Sequence, residues 1–352
     1  MRARIGVAAL LLALPGLTAA GWGQLPPSPD APPVSNAPNI PADQQSVATF
    51  KLNTNLVDVF FTVKDKNGNL VPHLTKNDCS IDEDKVPQTL KSFAAETDQP
   101  LTLGILLDTS GSQERVLPLE QEAGSQFLEQ VLRSKDQAFL LSFDVNVDLL
   151  QDFTNSVHLL TRAMDKAQIN TAGGNGAGLP GLGGGPVPTV GDPKGTLLYD
   201  AIYQASTQML SQQSGRKAMI ILTDGQDEGS VTKIGQAIAA AQRSNVIIYV
   251  ILLADRAAYG DFGYYGYSAA KRISDETGGR LINVGNNGNK LQAAFQQIAD
   301  ELRTQYVATY TPSDAKLDGT FRRITVQCGE GMKVQTRKGY YAPTPQSESP
   351  GS

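Results

Sequence analysis

Leu101 to Gln113 reads LTLGILLDTSGSQ: a run that is apolar apart from Thr102 and Gly104, then Asp108, then Ser110 and Ser112 at alternate positions around Gly111. A continuous apolar run is the composition of a strand covered on both faces. A carboxylate at the C-terminal end of such a strand, followed by hydroxyls two apart, is a layout that holds a hard cation or positions a phosphate. The remainder of the chain decides what surrounds it.

Downstream, strand and helix patterns alternate. The sequence predicts a helix over 114–132, then AFLLSFD (138–144) and VDLLQDF (147–153) as a hairpin-like pair, then a helix over 156–167. TLLYDAIYQASTQML (196–210) reads as helix, KAMIILTD (217–224) as strand, KIGQAIAAAQRS (233–244) as helix and VIIYVILLA (246–254) as strand. SAAKRISDETG (268–278), RLINV (280–284) and KLQAAFQQIADELRTQ (290–305) complete the series as helix, strand and helix. Such alternation predicts an α/β fold, a doubly wound and mostly parallel sheet of Rossmann-like kind.

Ligands of doubly wound sheets lie outside the carboxyl ends of the strands, where the strand order reverses. Asp108 ends the first strand of the series and Asp224 a later one. In the common order 3-2-1-4-5-6 the two acids face each other across that point. Thr196, at the start of a helix, brings a third hydroxyl. The candidate site is therefore Asp108, Ser110, Ser112, Thr196 and Asp224, all oxygen donors. Each has a plainer reading: Ser110 or Ser112 as the N-cap of the following helix, Asp224 as a turn acid.

Composition narrows the classes. The chain has 352 residues, 40% hydrophobic and 18% charged, ordinary for a globular protein of two domains. Its net charge is −5 and no dense Lys/Arg block is present, so nucleic acid is not an expected partner. The two histidines, His73 and His158, and the two cysteines, Cys79 and Cys328, form no CxxC or HExxH spacing, which excludes an evident zinc site.

At the N-terminus, Arg2 and Arg4 precede an apolar run from Ile5 to Leu14, and small residues from Pro15 to Ala20 follow. This is the pattern of a cleaved signal peptide over 1–20. The run is shorter than the roughly 20 residues that span a bilayer, so stable membrane insertion is not expected. A secreted or periplasmic location follows. Prolines recur with Ser, Ala and Asn from Gln24 to Pro41, so 21–45 reads as a linker.

Strand patterns flank the α/β series. LVDVFFTVKDKNGNLVPHL (56–74) alternates, turns at 66–69 and resumes, predicting a hairpin; CSIDEDKVPQTLKSFAA (79–95) continues with a turn at Asp84-Lys85. QYVATYTPS (305–313), FRRITVQC (321–328) and KVQTRKGYYA (333–342) alternate likewise. Neither end has enough strands for a stable sheet of its own. The segments 46–99 and 306–342 are thus expected to combine into one small β domain, sandwich-like, around an α/β domain over 100–305, with 343–352 a disordered tail. One cysteine lies in each segment. In an oxidising compartment Cys79 and Cys328 are the sole possible disulfide pair; the alternative is two small buried apolar side chains.

Two stretches are expected near the candidate site. The glycine-rich 170–195 lacks the GK[ST] of a P-loop and reads as a mobile loop. DRAAYGDFGYYGYS (255–268) sets Tyr259, Phe262, Tyr264, Tyr265 and Tyr267 among glycines, either as a ligand-binding rim or packed over the sheet edge.

Asp108-Thr109-Ser110-Gly111-Ser112, Thr196 and Thr223-Asp224-Gly225 resemble the von Willebrand factor type A (VWA) domain and its metal-ion-dependent adhesion site (MIDAS): DxSxS, then T, then D. The likeness covers about 101–305, and all five motif positions match. The segment VATFKLNTNLVDVFFTVKDKNGNLVPHLTKND (47–78) and RKGYYAP (337–343) are similar to a VWA-related family of exported proteins met mainly in acidobacteria. Cys79 departs from that pattern, where a bulky apolar residue is usual.

The resemblance implies a Mg²⁺ ion, or Mn²⁺ or Ca²⁺, held by Ser110, Ser112 and Thr196, with Asp108 and Asp224 acting partly through water. It implies a non-enzymatic, exported protein-binding module for cell adhesion or assembly, whose metal takes an Asp or Glu carboxylate from a protein partner. The alternatives are a metal-dependent hydrolase or phosphotransfer enzyme on the same α/β site, and a purely structural envelope module. Against the enzyme, no second aspartate lies two residues after Asp108 and no GxSxG elbow is present.

Overall fold

The computed structural model describes residues 56–95, 99–169, 195–254 and 266–344. The expected signal peptide and linker, all but the last residue of the glycine-rich stretch, Tyr259, Phe262, Tyr264 and Tyr265, and the tail past Thr344 lie outside the described residues.

The first strands are β1 (Val57–Lys64), β2 (Cys79–Glu83), β3 (Val86–Gln88) and β4 (Leu90–Ala95). The turn between β2 and β3 carries Asp84 and Lys85 at φ 47° and 71°, the left-handed pair that a two-residue hairpin needs. The turn predicted after β1 closes, with the Asp65 N–H donating to the Asn69 carbonyl and the Val71 N–H to the Val63 carbonyl, but no returning strand extends the hairpin. Only a single bridge joins Lys64 to Leu70, and the Asp65 carboxylate brackets that turn by accepting from the backbone N–H groups of Asn67 and Asn69. Both edges of β1 are instead occupied by strands from the far end of the chain.

The central sheet contains β5 (Leu101–Asp108), β6 (Gln137–Phe143), β7 (Val147–Thr154), β8 (Arg216–Thr223), β9 (Val246–Leu252) and β10 (Leu281–Asn283). Its order is β10-β9-β8-β5-β6-β7, parallel except for the β6–β7 pair. Counted from β5, that is the 3-2-1-4-5-6 order, with the reversal between β5 and β8. The connecting helices are α1 (Leu117–Val131), α2 (Val157–Met164), α3 (Leu198–Gln204), α4 (Ile234–Arg243), α5 (Gly266–Thr277) and α6 (Gly288–Arg303). Side-chain alternation along the strands feeds two cores. Leu103, Ile105 and Leu107 pack with α1, α2 and α6 on one face. Leu106, Met219 and Ile248 pack with α3, α4 and α5 on the other. The helix predicted from Glu114 begins at Leu117, preceded by a 3-10 turn at Gly111–Gln113. The helix predicted over 196–210 is α-helical only to Gln204 and then opens into a π turn, Ala205–Met209.

The chain closes with β11 (Tyr306–Tyr310), β12 (Phe321–Cys328), β13 (Lys333–Thr336) and β14 (Gly339–Tyr341). Two antiparallel sheets result, β13-β1-β11-β4 and β14-β12-β2-β3, each built from two strands of either end. They share a core of Val59, Phe61, Val63, Ile81, Tyr306, Tyr310 and Ile324, which makes a sandwich. β1 buries both faces, because Phe60 points the other way, into the α/β core. Lys64 on β1 and Arg280 both pair with Glu301 of α6 at 2.9 Å, and the Glu301 side chain is fully buried. Cys79 and Cys328 stand opposite each other in the β2–β12 register, Cα atoms 4.1 Å apart, joined as a disulfide.

Candidate functional site

β5 and β8 are neighbours at the reversal, so the loops that leave their carboxyl ends open on one crevice. Asp108 ends β5 with its side chain wholly buried, and Asp224, 2% exposed, follows the last residue of β8. Asp108 Oδ1 accepts from the Ser110 hydroxyl at 2.6 Å and from the Ser110 N–H at 3.0 Å. The Ser110 and Ser112 hydroxyls are 3.0 Å apart, and Ser112 Oγ donates to Asp224 Oδ2 at 2.7 Å. Four of the five predicted residues therefore form one chain of polar contacts across the switch point, with each hydroxyl proton on its own carboxylate and the two hydroxyl oxygens in contact.

The plainer readings of these residues are decided by the same bonds. Ser110 occupies the N-cap position of the 3-10 turn, yet its hydroxyl makes no capping bond and is turned to Asp108 instead. Asp224 does shape its turn, accepting from the Gln226 N–H with Oδ1, while its Oδ2 faces Ser112.

Thr196 stands on the same edge of the sheet, but among the described residues no hydrogen bond links it to these four. Its backbone exchanges both bonds with Glu228 in the loop after β8, and the next N–H, of Leu197, donates to the Asp144 carbonyl in the loop after β6. Thr196 is thus held at the carboxyl edge of the sheet with its side chain 8% exposed. Tyr267, the one described residue of the proposed rim, is 44% exposed on the first turn of α5. Its neighbour Gly266 lies so close to the Asp224 carbonyl that a Cβ there would collide with it, which sets Tyr267 next to the Asp224 turn.

Three participants were not among the predicted residues. Thr223 Oγ1 donates to Asp108 Oδ2 at 2.6 Å and accepts from the Gly225 N–H, tying the ends of β5 and β8 together. Gln113 donates through Nε2 to Ser112 Oγ, while its buried Oε1 has no partner. Glu120 of α1 is fully buried, with neither carboxyl oxygen hydrogen-bonded among the described residues. Its signal is legible after the fact: it falls on the buried stripe Leu117, Glu120, Gly124, Leu128, where an apolar residue is expected.

The electrostatics of the crevice are those of acids brought close together in a buried place. Burial first, and the charge of Asp224 second, push Asp108 up to about 7 against the hydrogen bonds from Ser110 and Thr223. Burial, then the charges of Asp108 and Asp224, hold Glu120 well above the usual carboxylate range. Among the described residues no group of three or more His, Cys, Asp or Glu side chains is placed to hold a metal ion. A cation here depends on hydroxyl oxygens together with the two carboxylates, an all-oxygen set that suits a hard ion.

A doubly wound, mostly parallel sheet with two acids at its switch point is a Rossmann-like arrangement. No protein-family model and no curated protein matches the chain. Solved structures similar to it include a von Willebrand factor type A protein from Catenulispora acidiphila, 11% identical over 84% of this chain and 76% of that one, TM-score 0.46. The vWF domain of a type V pili tip protein from Porphyromonas gingivalis is 13% identical over 58% of this chain and 95% of that one, TM-score 0.43. The conserved hypothetical protein BatB from Bacteroides thetaiotaomicron is 17% identical over 58% and 99%, TM-score 0.42.

Proposed function

We propose that the chain is an exported, Mg²⁺-dependent protein-binding module of adhesion or assembly, and not an enzyme. The observation that carries this reading is the run of polar contacts Asp108–Ser110–Ser112–Asp224, which gathers oxygen ligands from two adjacent strand ends. Ser110, Ser112 and Thr196 would hold the cation, with Asp108 and Asp224 behind them. A divalent ion bound there supplies an electrophile with a coordination position for an Asp or Glu carboxylate of a protein partner.

The residues around the ion perform the remaining work. Thr223 holds Asp108 in place, so that the acid needs no reorganisation when a cation arrives. Gly225 at φ 82° and the close approach of Gly266 fix the Asp224 turn against α5. Tyr267, together with Tyr259, Phe262, Tyr264 and Tyr265, would form the rim that selects the partner. Export is supported by the Cys79–Cys328 bond, which belongs to an oxidising compartment. Among the described residues no helix is long and apolar enough to cross a membrane.

The test is calorimetric titration of Mg²⁺ and Mn²⁺ into the protein and its Asp108→Ala and Asp224→Ala variants, with the fold checked by circular dichroism. One site in the parent and none in the folded variants is the expected result. Equal binding by all three overturns the reading.

A further inference from the structure

A second recess, lined by charged side chains set among apolar and aromatic ones, lies at the opposite edge of the six-stranded sheet, where the end of α4 and the start of β9 meet the sandwich. It is a cleft of about 420 Å³. Lys91, Arg243, Lys316, Arg322 and Arg337 line it, against the carboxylates of Asp58 and Asp314. The chain as a whole carries −5, so this concentration of cations is local.

Only some of these charges are balanced. Arg322 is neutralised: Glu83 lies 3.3 Å from Nη1 and Asp314 3.7 Å from Nη2. Arg337 is not. It is 9% exposed, and its two terminal nitrogens donate at 2.9 Å to neutral acceptors, the Asn245 side-chain oxygen and the Asp58 carbonyl. Its Nε is buried with no partner, and no carboxylate among the described residues comes within ion-pair distance. The Asp58 carboxylate accepts from the Thr309 hydroxyl instead. A guanidinium withdrawn from water without a counter-ion is costly, and burial pulls Arg337 down to about 10. The Arg243 guanidinium carbon sits over the Tyr341 ring, 4.0 Å from its centroid, a cation–π contact that holds the guanidinium without neutralising it. Lys91 and Lys316 are exposed at the mouth with no ion pair among the described residues.

We propose that this cleft is a binding site for a small multivalent oxyanion, a molecule carrying phosphate or carboxylate groups that Arg243, Arg337, Lys91 and Lys316 would neutralise. Its volume falls in the range of small-ligand sites. The planar fork of an arginine suits bidentate contact with such groups. The lining comes from both the sandwich and the α4–β9 corner, so an anion here stabilises their packing as well as the buried charge. The site is separate from the acidic crevice and of opposite sign.

The test is calorimetry and thermal melting of the full chain with pyrophosphate and, in a second arm, citrate, in EDTA and at constant ionic strength set with chloride. Saturable binding of at least one probe at one site, with a raised melting temperature, is expected. The Lys91→Gln/Arg243→Gln double variant, whose replaced side chains are exposed, is expected to melt near the parent without ligand and to bind about tenfold or more weaker. Asp108→Ala is expected to bind as the parent does, which keeps this site independent of the metal reading. Binding of pyrophosphate alone or citrate alone assigns the site to phosphate or carboxylate. No saturable binding of either probe, or undiminished binding by the double variant, overturns the proposal.

Discussion

Ser112 Oγ donates to Asp224 Oδ2 at 2.7 Å, a bond between residues 112 positions apart that closes the crevice between β5 and β8. The same hydroxyl is a proposed cation ligand, so its removal acts on two properties. Ser112→Ala is expected to weaken Mg²⁺ binding about tenfold or more while costing only about 1 kcal/mol of stability, the usual net value of one hydrogen bond. Paired Mg²⁺ titrations and denaturant melts check this; unchanged Mg²⁺ affinity would remove Ser112 from the ligand set.

Stability of the metal-free protein is expected to fall as pH rises from about 4 to about 7. Asp108 takes up its proton at about 7 in the folded chain, against an ordinary 3.8, so within that window the folded state binds a proton that the unfolded state has released. The raised Glu120 acts in the same direction. The slope for one such group is on the order of 1.4 kcal/mol per pH unit. Melts in EDTA should therefore give a higher midpoint at pH 5 than at pH 7.5, with Asp108→Asn flattening the difference. Mg²⁺, which favours the ionised acids, should raise the midpoint more at pH 7.5 than at pH 5. A flat profile in the parent would contradict the assignment.

The α/β half of the molecule was legible because its signals are local. Apolar runs of strand length, alternating with amphipathic helices, define a doubly wound sheet. In that sheet the strand order alone puts Asp108 and Asp224 side by side. The hairpin expected after β1 stops short beyond its turn for the converse reason. Alternation along Val57–Lys64 says that a strand forms, but not that β11 and β13, more than 240 residues later, hold its two edges. Glu120 was missed because a periodicity reading skips a single acid on an apolar stripe, and its neighbours Asp108 and Asp224 come from other elements. The Thr196 hydroxyl shows the limit from the other side: the motif places it on the right edge of the sheet, and the bonds to Glu228 and Asp144 fix its backbone, but no hydrogen bond draws its side chain into the acidic chain.

Glu120 itself gives a test of the buried electrostatics. Its carboxyl is fully enclosed, has no hydrogen-bond partner among the described residues and faces the charges of two other acids. Replacing an unsatisfied buried polar group by an apolar one of similar length relieves about 1–3 kcal/mol. Glu120→Met is thus expected to stabilise the metal-free protein by that order in urea melts. A destabilised variant would mean that the carboxyl has a structural role in the crevice.

Backbone approach at the Asp224 turn makes a third kind of prediction. A methyl group at Gly266 would strike the Asp224 carbonyl, whereas one at Gly235, in the first turn of α4, meets nothing within 4 Å. Gly266→Ala should lower the melting temperature and weaken Mg²⁺ binding together, because the turn that carries Asp224 must move. Gly235→Ala should do neither, and should stabilise slightly through helix propensity. Equal behaviour of the two variants would show that the turn accommodates the methyl group.

The last prediction concerns the disulfide. Cys79 and Cys328 lie directly across β2 and β12, with 249 residues of separation between them, so the bond closes nearly the whole folded chain on itself. Constraint of the unfolded state grows slowly with loop length, and a loop of this size stands toward the upper part of the ~2–5 kcal/mol range for native disulfides. The strands concerned belong to the sandwich, whereas the acidic crevice lies at the carboxyl edge of the six-stranded sheet. Cys328→Ser is therefore expected to lower the melting temperature by several degrees, with Mg²⁺ affinity retained below the new transition. Non-reducing mass spectrometry after alkylation of the native protein should find no free thiol, since no free cysteine is present in the folded chain. Two alkylated cysteines would refute the bond. Loss of Mg²⁺ binding at temperatures where Cys328→Ser remains folded would show that the constraint reaches the crevice.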